Sequence, residues 1–290
     1  MAPEEYSGWE EFAQFLLHRR EYAPEVKKNG PMAGGVMYAD GWRKCSKTDK
    51  AFGRFCSVVK LSKQMQKEQF HWVDEEEQIK KAGNWLSLKL RQLTPKVHEE
   101  CHNLLKERKL PSLAHPEYGM DLQPEDFTSF LTYTMFNFYN SPHVDNNDLN
   151  TWTLVGWIPI FHPKHSSSNS EKVSSVLADN KFDMVGGQFV FRDSQVYLDF
   201  TQFPGITLTV FKNKGNRHQT LQGCSPSKKY TRIGFSCQIS KTMADAIEGF
   251  LGSEGPKLPV SGQLAQIIKA NERNSDQKKK KKQKVKKGDL

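Results

Sequence analysis

Within FNFYNSPHVDNND, residues 136–148, His143 and Asp145 stand two positions apart. On an extended backbone such a pair leaves the same face, so an imidazole and a carboxylate converge on one point. A metal ion is the natural occupant. Two histidines and one carboxylate with open coordination positions suit non-heme Fe(II) and oxygen chemistry, and the second histidine must then come from a distant strand. His218 is the candidate: it lies 75 residues downstream, just after the β-rich run FPGITLTVF. Fourteen residues further on, Arg232 opens RIGFSCQIS. Its planar guanidinium suits two-pronged binding of a carboxylate. Strand alternation gives Arg232 the same face as Gly234 and Ser236 and turns Ile233, Phe235 and Cys237 away. Arg217, next to His218, points the opposite way from that histidine and is the weaker candidate. Asn146, Asn147 and Asp148 follow the metal motif directly and belong at the floor of its cavity, although the two asparagines read equally well as turn formers. Asn137 and Tyr139, on the preceding strand, can reach a substrate or a cosubstrate.

These residues need a scaffold of strands, and the sequence changes period to supply one. From residue 127, FTSFLTYTMFNFYN is rich in aromatic and β-branched residues, and TWTLVGWIPI, GQFVF, QVYLDF, ITLTVF and RIGFSCQIS follow as further strands. Short strands separated by turns predict an antiparallel sandwich or jelly roll. The first half reads as helical bracing outside that sheet. Trp9, Phe12, Phe15, Leu16 and Leu17 make an amphipathic segment; GGVMYADGWR reads equally as a lead-in to the sheet domain or as an edge strand and turn; residues 61–82 form a charged helix. In a second helix Thr94 is the expected N-cap, Pro95 holds the first position, and Val97, Cys101, Leu104 and Leu105 form one buried stripe. Residues 162–184 are long and polar, as expected of a lid near the substrate mouth, with His162 and His165 facing solvent or phosphate. MADAIEGFL and QLAQIIKANER predict two closing helices.

Charge and composition narrow the classes. The net charge is +9, but residues 277–290 hold eight lysines and one aspartate, which leaves +2 for everything before them. The globular part is nearly neutral. The lysine run lacks apolar residues, predicts disorder, and reads as a nuclear-localisation or phosphate-binding arm, or simply a solvating tail. No apolar run is long enough to span a bilayer, and the N-terminus lacks a secretory pattern. Cys45, Cys56, Cys101, Cys224 and Cys237 are scattered without paired spacing, which suits reduced thiols and no zinc cluster.

The ordered set HVDNND, GGQFVFRDSQVYLDF, FPGITLTVF, RHQT and TRIGFSCQIS resembles the Tet/JBP group of Fe(II)- and 2-oxoglutarate-dependent nucleobase dioxygenases, in particular its fungal branch. The likeness covers roughly residues 130–240 and is weaker near residues 34–45. It implies an α+β fold with a double-stranded β-helix (jelly-roll) core. The expected divisions are an N-terminal helical and edge-strand extension (1–126), the dioxygenase core (127–245), a C-terminal helical segment (246–276) and the basic tail (277–290). By the same resemblance His143, Asp145 and His218 hold Fe(II), Arg232 holds the distal carboxylate of 2-oxoglutarate, and O2 is the oxidant. Asp145 implies hydroxylation, because related halogenases carry a small residue there. Asp148 matches a position beside the flipped base, with Asn147 and Asn137 nearby. The implied partner is double-stranded DNA with methylated bases, in the nucleus, handled by a monomer. Oxidation of 5-methylcytosine would give hydroxymethyl, formyl and carboxyl products; N6-methyladenine would be demethylated. RIGFSCQ lacks the second arginine of AlkB-like proteins, and five dispersed cysteines cannot form the zinc-binding region of animal Tet enzymes. The rival readings are an RNA-base or protein hydroxylase of the same fold, and a nucleic-acid-binding module without turnover.

Overall fold

The computed structural model describes residues 1–26, 33–45, 51–67, 72–163, 175–201, 205–254, 257 and 259–288. The chain opens with helix α1 (Pro3–Arg19), strands β1 (Glu25–Val26), β2 (Gly34–Lys44) and β3 (Phe52–Arg54), and helices α2 (Val58–Gln64), α3 (Trp72–Leu93) and α4 (Pro95–Glu107). Strands β4 (Phe130–Tyr139), β5 (Trp152–Phe161), β6 (Val185–Gly186), β7 (Phe189–Phe191), β8 (Val196–Leu198), β9 (Thr207–Lys212), β10 (His218–Thr220), β11 (Gly223–Cys224) and β12 (Tyr230–Gln238) follow. Helices α5 (Lys241–Gly252) and α6 (Gln263–Gly288) close it.

The strands form an α+β jelly roll. A seven-stranded sheet runs β1-β2-β4-β12-β5-β9, with β3 also on β2; β10-β7-β8 and β11-β6 make two smaller sheets, and every pairing between the strands is antiparallel. Central strands β5 and β12 are covered on both faces; β5 is largely apolar throughout, whereas β12 turns Ile233, Phe235 and Cys237 to the core and Arg232, Ser236 and Gln238 to the other side. Ile158, Ile160, Ile233, Phe235 and Cys237 join Trp9, Phe12, Leu86, Leu90, Cys101 and Leu105 in the core beneath the helices. Val155 and Trp157 instead pack with Phe189, Phe200 and Phe211 in a smaller cluster between the sheets. Burying such side chains stabilises the fold by about 1.5–3 kcal/mol each, so the helices hold the large sheet in place from behind.

Several expectations change. β2 is flanked by β1 and β4 rather than lying at an edge. The helix expected over 61–82 is two: α2 stops at Gln64, and α3 runs past Gly83 to Leu93. Ile79, Ala82, Leu86 and Leu90 continue its buried stripe, and a side chain at Gly83 would crowd Ala114. Phe70 falls outside the described residues. Thr94 precedes α4 but its side chain makes no capping bond, whereas Ser57 and Ser240 do cap α2 and α5. α6 extends to Gly288 and so takes in residues that composition predicts to be disordered; lysine is a good helix former and neither proline nor glycine interrupts the run. Of the polar segment 162–184, His165 lies outside the described residues, while 175–184 is fastened down. Ser175 Oγ and the Val176 and Leu177 amides donate to Glu10 of α1, and Leu177 is buried.

Behind the sheet lies a buried ion network. The Asp40 carboxylate accepts from Arg19 at 2.7 Å and from Arg54 at 3.2 Å. Glu75 of α3 accepts from Tyr22 and contacts His18. The four charges tie α1, β2, β3 and α3 together where no water reaches to screen them.

Candidate metal centre and cosubstrate pocket

His143 lies just beyond β4, and His218 is the first residue of β10. Their main chains bond reciprocally: the His143 amide donates to the His218 carbonyl at 3.0 Å and the His218 amide donates to the His143 carbonyl at 2.9 Å. Residues 75 apart in sequence are thereby fixed side by side, with ring centroids 4.4 Å apart. Asp145, two residues after His143, comes back to the same point. Its carboxylate oxygens lie 3.7 Å from His143 Nε2 and 3.5 Å from His218 Nε2. One ligand atom from each of the three falls within 4.8 Å of the others.

The arrangement passes a chemical test for a metal. His143 Nδ1 donates to the Ser141 carbonyl at 3.0 Å and His218 Nδ1 donates to the Asn216 carbonyl at 2.9 Å. A carbonyl only accepts, so in the neutral, metal-binding form of each ring the proton sits on Nδ1 and the Nε2 lone pair faces the shared point. Two imidazole nitrogens and one carboxylate oxygen suit Fe(II). Burial and the neighbouring His218 push the His143 imidazole below the usual histidine range. Burial opposes charge on His218 as well, but the Asp145 carboxylate facing Nε2 and the Asn216 carbonyl at Nδ1 favour the protonated form, outweigh it and raise that histidine. Phe189 and Phe211 pack on the His218 ring at 5.4 and 5.1 Å and fix its plane.

The three groups line a cavity of about 580 Å³ between the sheets, with Thr134, Phe138, Asn140, Asn147, Asp148, Trp157 and Gln238 on its walls. A smaller space of about 30 Å³ adjoins it, sharing Thr134, Phe138, Trp157, Thr220 and Gly234, and Arg232 lies on its wall. Arg232 is buried, and burial lowers its guanidinium to about 10, so it stays charged at neutral pH. Among the described residues it has no carboxylate partner. Its polar contact is a 3.4 Å bond from Nη1 to the Gly187 carbonyl, and its face lies 4.3 Å from the Phe200 ring. A buried cation without an anion is costly, and an anionic ligand in the adjoining space would offset that cost. Gly234, on the same face as predicted, leaves the connecting space open: a Cβ there would come within 2.6 Å of Thr134 Oγ1.

The other predicted residues separate. Asp148 is buried in the wall of the larger cavity; its Oδ2 accepts from Asn213 at 2.7 Å and Gln238 at 3.1 Å, and Oδ1 makes no hydrogen bond among the described residues. Burial, then the Asp145 charge, raises its carboxyl to about 7. Asn147 donates from Nδ2 to Ser240 and Thr242 at the start of α5, which leaves Oδ1 as an acceptor. Asn137 lines the smaller space rather than the larger. Its amide donates to Thr231 Oγ1, and its Oδ1 accepts from that hydroxyl. Tyr139 lies over the Gly34 backbone. Of the nearby aromatic rings, Phe136 contacts His162, and Phe235, although it borders the larger cavity, packs on Trp9 and Phe12. Gln238 was legible from the alternation that placed Arg232. Asn213 sits in the loop after β9, and no sequence signal points to it.

The model of the Tet-like 2OG-Fe(II) oxygenase superfamily matches residues 2–223, a stretch that includes His143, Asp145 and His218 and stops before Arg232. No curated protein matches the sequence. Among solved structures, a Pseudomonas putida prolyl-4-hydroxylase is similar at 14% identity and a TM-score of 0.34, over 82% of this chain and 88% of that one.

Proposed function

This chain belongs to the Tet-like 2OG-Fe(II) oxygenase superfamily, and from that premise we propose that its cavity oxidises methylated bases in DNA. It is a dioxygenase that uses Fe(II), 2-oxoglutarate and O2. When bound, Fe(II) and 2-oxoglutarate supply the O2 activation that hydroxylates a C–H bond. His143, Asp145 and His218 would hold the metal, with Nδ1 of each histidine anchored so that the rings cannot turn. Arg232 would take the distal carboxylate of 2-oxoglutarate, and Asn137, on the same small pocket, would border it. The fungal Tet-like branch is the proposed placement within the superfamily.

The observation that carries the reading of a base as substrate is the pair of acceptors beside the metal ligands. Asp148 Oδ1 and Asn147 Oδ1 are each left without a partner among the described residues, on the wall of a cavity that also holds Phe138 and Trp157. Cytosine and adenine both offer an exocyclic amino donor. A base must leave the duplex to enter, at a cost of a few kcal/mol, and the lysine run near residue 280 supports a nuclear, phosphate-facing setting. The test is mass spectrometry of nucleosides after incubation with Fe(II), 2-oxoglutarate and duplex DNA carrying 5-methylcytosine and N6-methyladenine. Oxidised cytosine or loss of methyladenine is expected with the native chain and not with His143→Ala. No change in either base, with 2-oxoglutarate demonstrably bound, would redirect the reading to an RNA or protein substrate.

A further inference from the structure

On the other face of β4, away from the metal ligands, lies a groove of about 530 Å³ that the oxygenase chemistry does not use. Its walls carry Arg20, from the end of α1, and Lys60, Lys63 and Lys67, from α2 and the turn after it; Tyr38 and Phe136 line it as well. Arg20 and Lys60 stand over those rings, each 5.8 Å from the centroid. Two of the cations are offset, Arg20 by Glu21 at 3.4 Å and Lys60 by Glu25 at 3.6 Å. Lys63 and Lys67 are exposed and make no ion pair among the described residues. The two unoffset charges therefore fall on one rim, with aromatic carbon below.

The backbone of β4 departs from a regular strand where it borders this groove. Phe136 and Asn137 both have positive φ, 61° and 56°, a conformation that residues with side chains rarely adopt. The kink turns Phe136 out of the cavity face and into the groove.

We propose that this groove binds single-stranded nucleic acid, the lysine rim following the phosphates and the Phe136–Tyr38 floor taking a base or sugar. A row of cations beside aromatic rings is the arrangement that holds a strand without reading its sequence. The choice of partner rests on the proposed nucleic-acid substrate, but the site is separate from the metal centre.

The test is fluorescence anisotropy of a labelled, unmethylated oligothymidylate, with a duplex of the same length and inorganic polyphosphate as competitors, using the full chain without Fe(II). K63E/K67E is expected to weaken binding at least tenfold and to flatten the dependence of log affinity on log salt by about 1.4, two contacts at about 0.7 each. Phe136→Leu is expected to weaken oligothymidylate binding about fivefold or more and to leave polyphosphate unchanged. Thermal melts confirm that both variants fold. Unaltered binding in K63E/K67E overturns the proposal, and so does equal competition by polyphosphate with no effect of Phe136→Leu, which would describe a general polyanion surface. Turnover plays no part in the measurement, so failure to oxidise methylated bases would leave it standing, and the reverse also holds.

Discussion

Replacing Arg232 by methionine should move stability and cosubstrate binding in opposite directions. The guanidinium is 8% exposed and has no carboxylate partner among the described residues. Burial takes it from 12.5 to about 10, which at about 1.4 kcal/mol per tenfold is about 3 kcal/mol spent keeping the charge there. Contact with Phe200 returns about 0.5–2 kcal/mol. Methionine fills a similar volume with no charge to desolvate, so the ligand-free variant should be more stable by about 1–2 kcal/mol. At about 2–4 °C per kcal/mol for a chain of this size, Tm should rise by a few degrees. Loss of a buried charge partner costs 2–5 kcal/mol of binding, so 2-oxoglutarate affinity should fall about 30-fold or more. Anaerobic thermal melts with Fe(II) read both effects. At a hundredfold excess over Kd the native chain gains about 2.7 kcal/mol from 2-oxoglutarate, and Arg232→Met, with affinity down about 30-fold or more, should gain about 0.9 kcal/mol or less. A variant that melts below the native chain without ligand, or that keeps the 2-oxoglutarate shift, would refute the assignment of Arg232 to a ligand carboxylate.

Asp40→Asn should lower stability by about 3–5 kcal/mol, because it leaves Arg19 and Arg54 buried without their shared carboxylate; urea unfolding measures it. Acid lability follows from the same network and from Asp126. Burial alone would raise these carboxyls, but Arg19 and Arg54 hold Asp40 low, His18, Tyr22 and Arg19 hold Glu75 low, and His115, Ser112 and the Gln123 amide hold Asp126 low. Groups depressed by folding stabilise above their unfolded values near pH 4, and that contribution is lost as pH falls further. Urea midpoints should therefore drop below about pH 4, and Asp126→Asn should lower the neutral plateau while making the acid slope shallower; an unchanged slope would exclude Asp126 from the effect. Gly234→Ala should raise the KM for 2-oxoglutarate about tenfold or more by narrowing the space beside Thr134, and adding Thr134→Ala should recover part of the loss.

What could be read in the sequence follows the period of a strand. His143 and Asp145 fall together because an interval of two returns to the same face, and the same rule put Arg232 with Gly234. His218 needed more than parity: its closeness comes from the bridge between the end of β4 and the start of β10, which only the order of strands suggests. The partners of Asp148 show the limit. Gln238 lies at the Arg232 alternation, but Asn213 reaches it from a loop whose path no local pattern encodes. The helices failed for local reasons. Gly83 resembles a stop, yet it is kept because Ala114 packs against its backbone, and the stripe carries on through Leu86 and Leu90.

The kink in β4 was invisible because neither Phe136 nor Asn137 is a glycine, the residue that normally marks positive φ. Its consequence is best seen from the residues on either side. Thr134 and Phe138 both line the larger cavity and the smaller one beside Arg232, so regular alternation would set the Phe136 ring between them, at the junction of the two spaces. With two residues at positive φ, Phe136 leaves that face, Asn137 reaches the smaller pocket, and Phe138 returns to the wall. The strain is about 1–3 kcal/mol per residue, partly offset by the two bonds between Asn137 and Thr231. It removes an aromatic ring from the junction through which 2-oxoglutarate would reach from the metal ligands to Arg232 in the proposed binding mode. Glycine at 234 keeps the opposite side of that junction clear, and the two departures from an ordinary strand serve one passage.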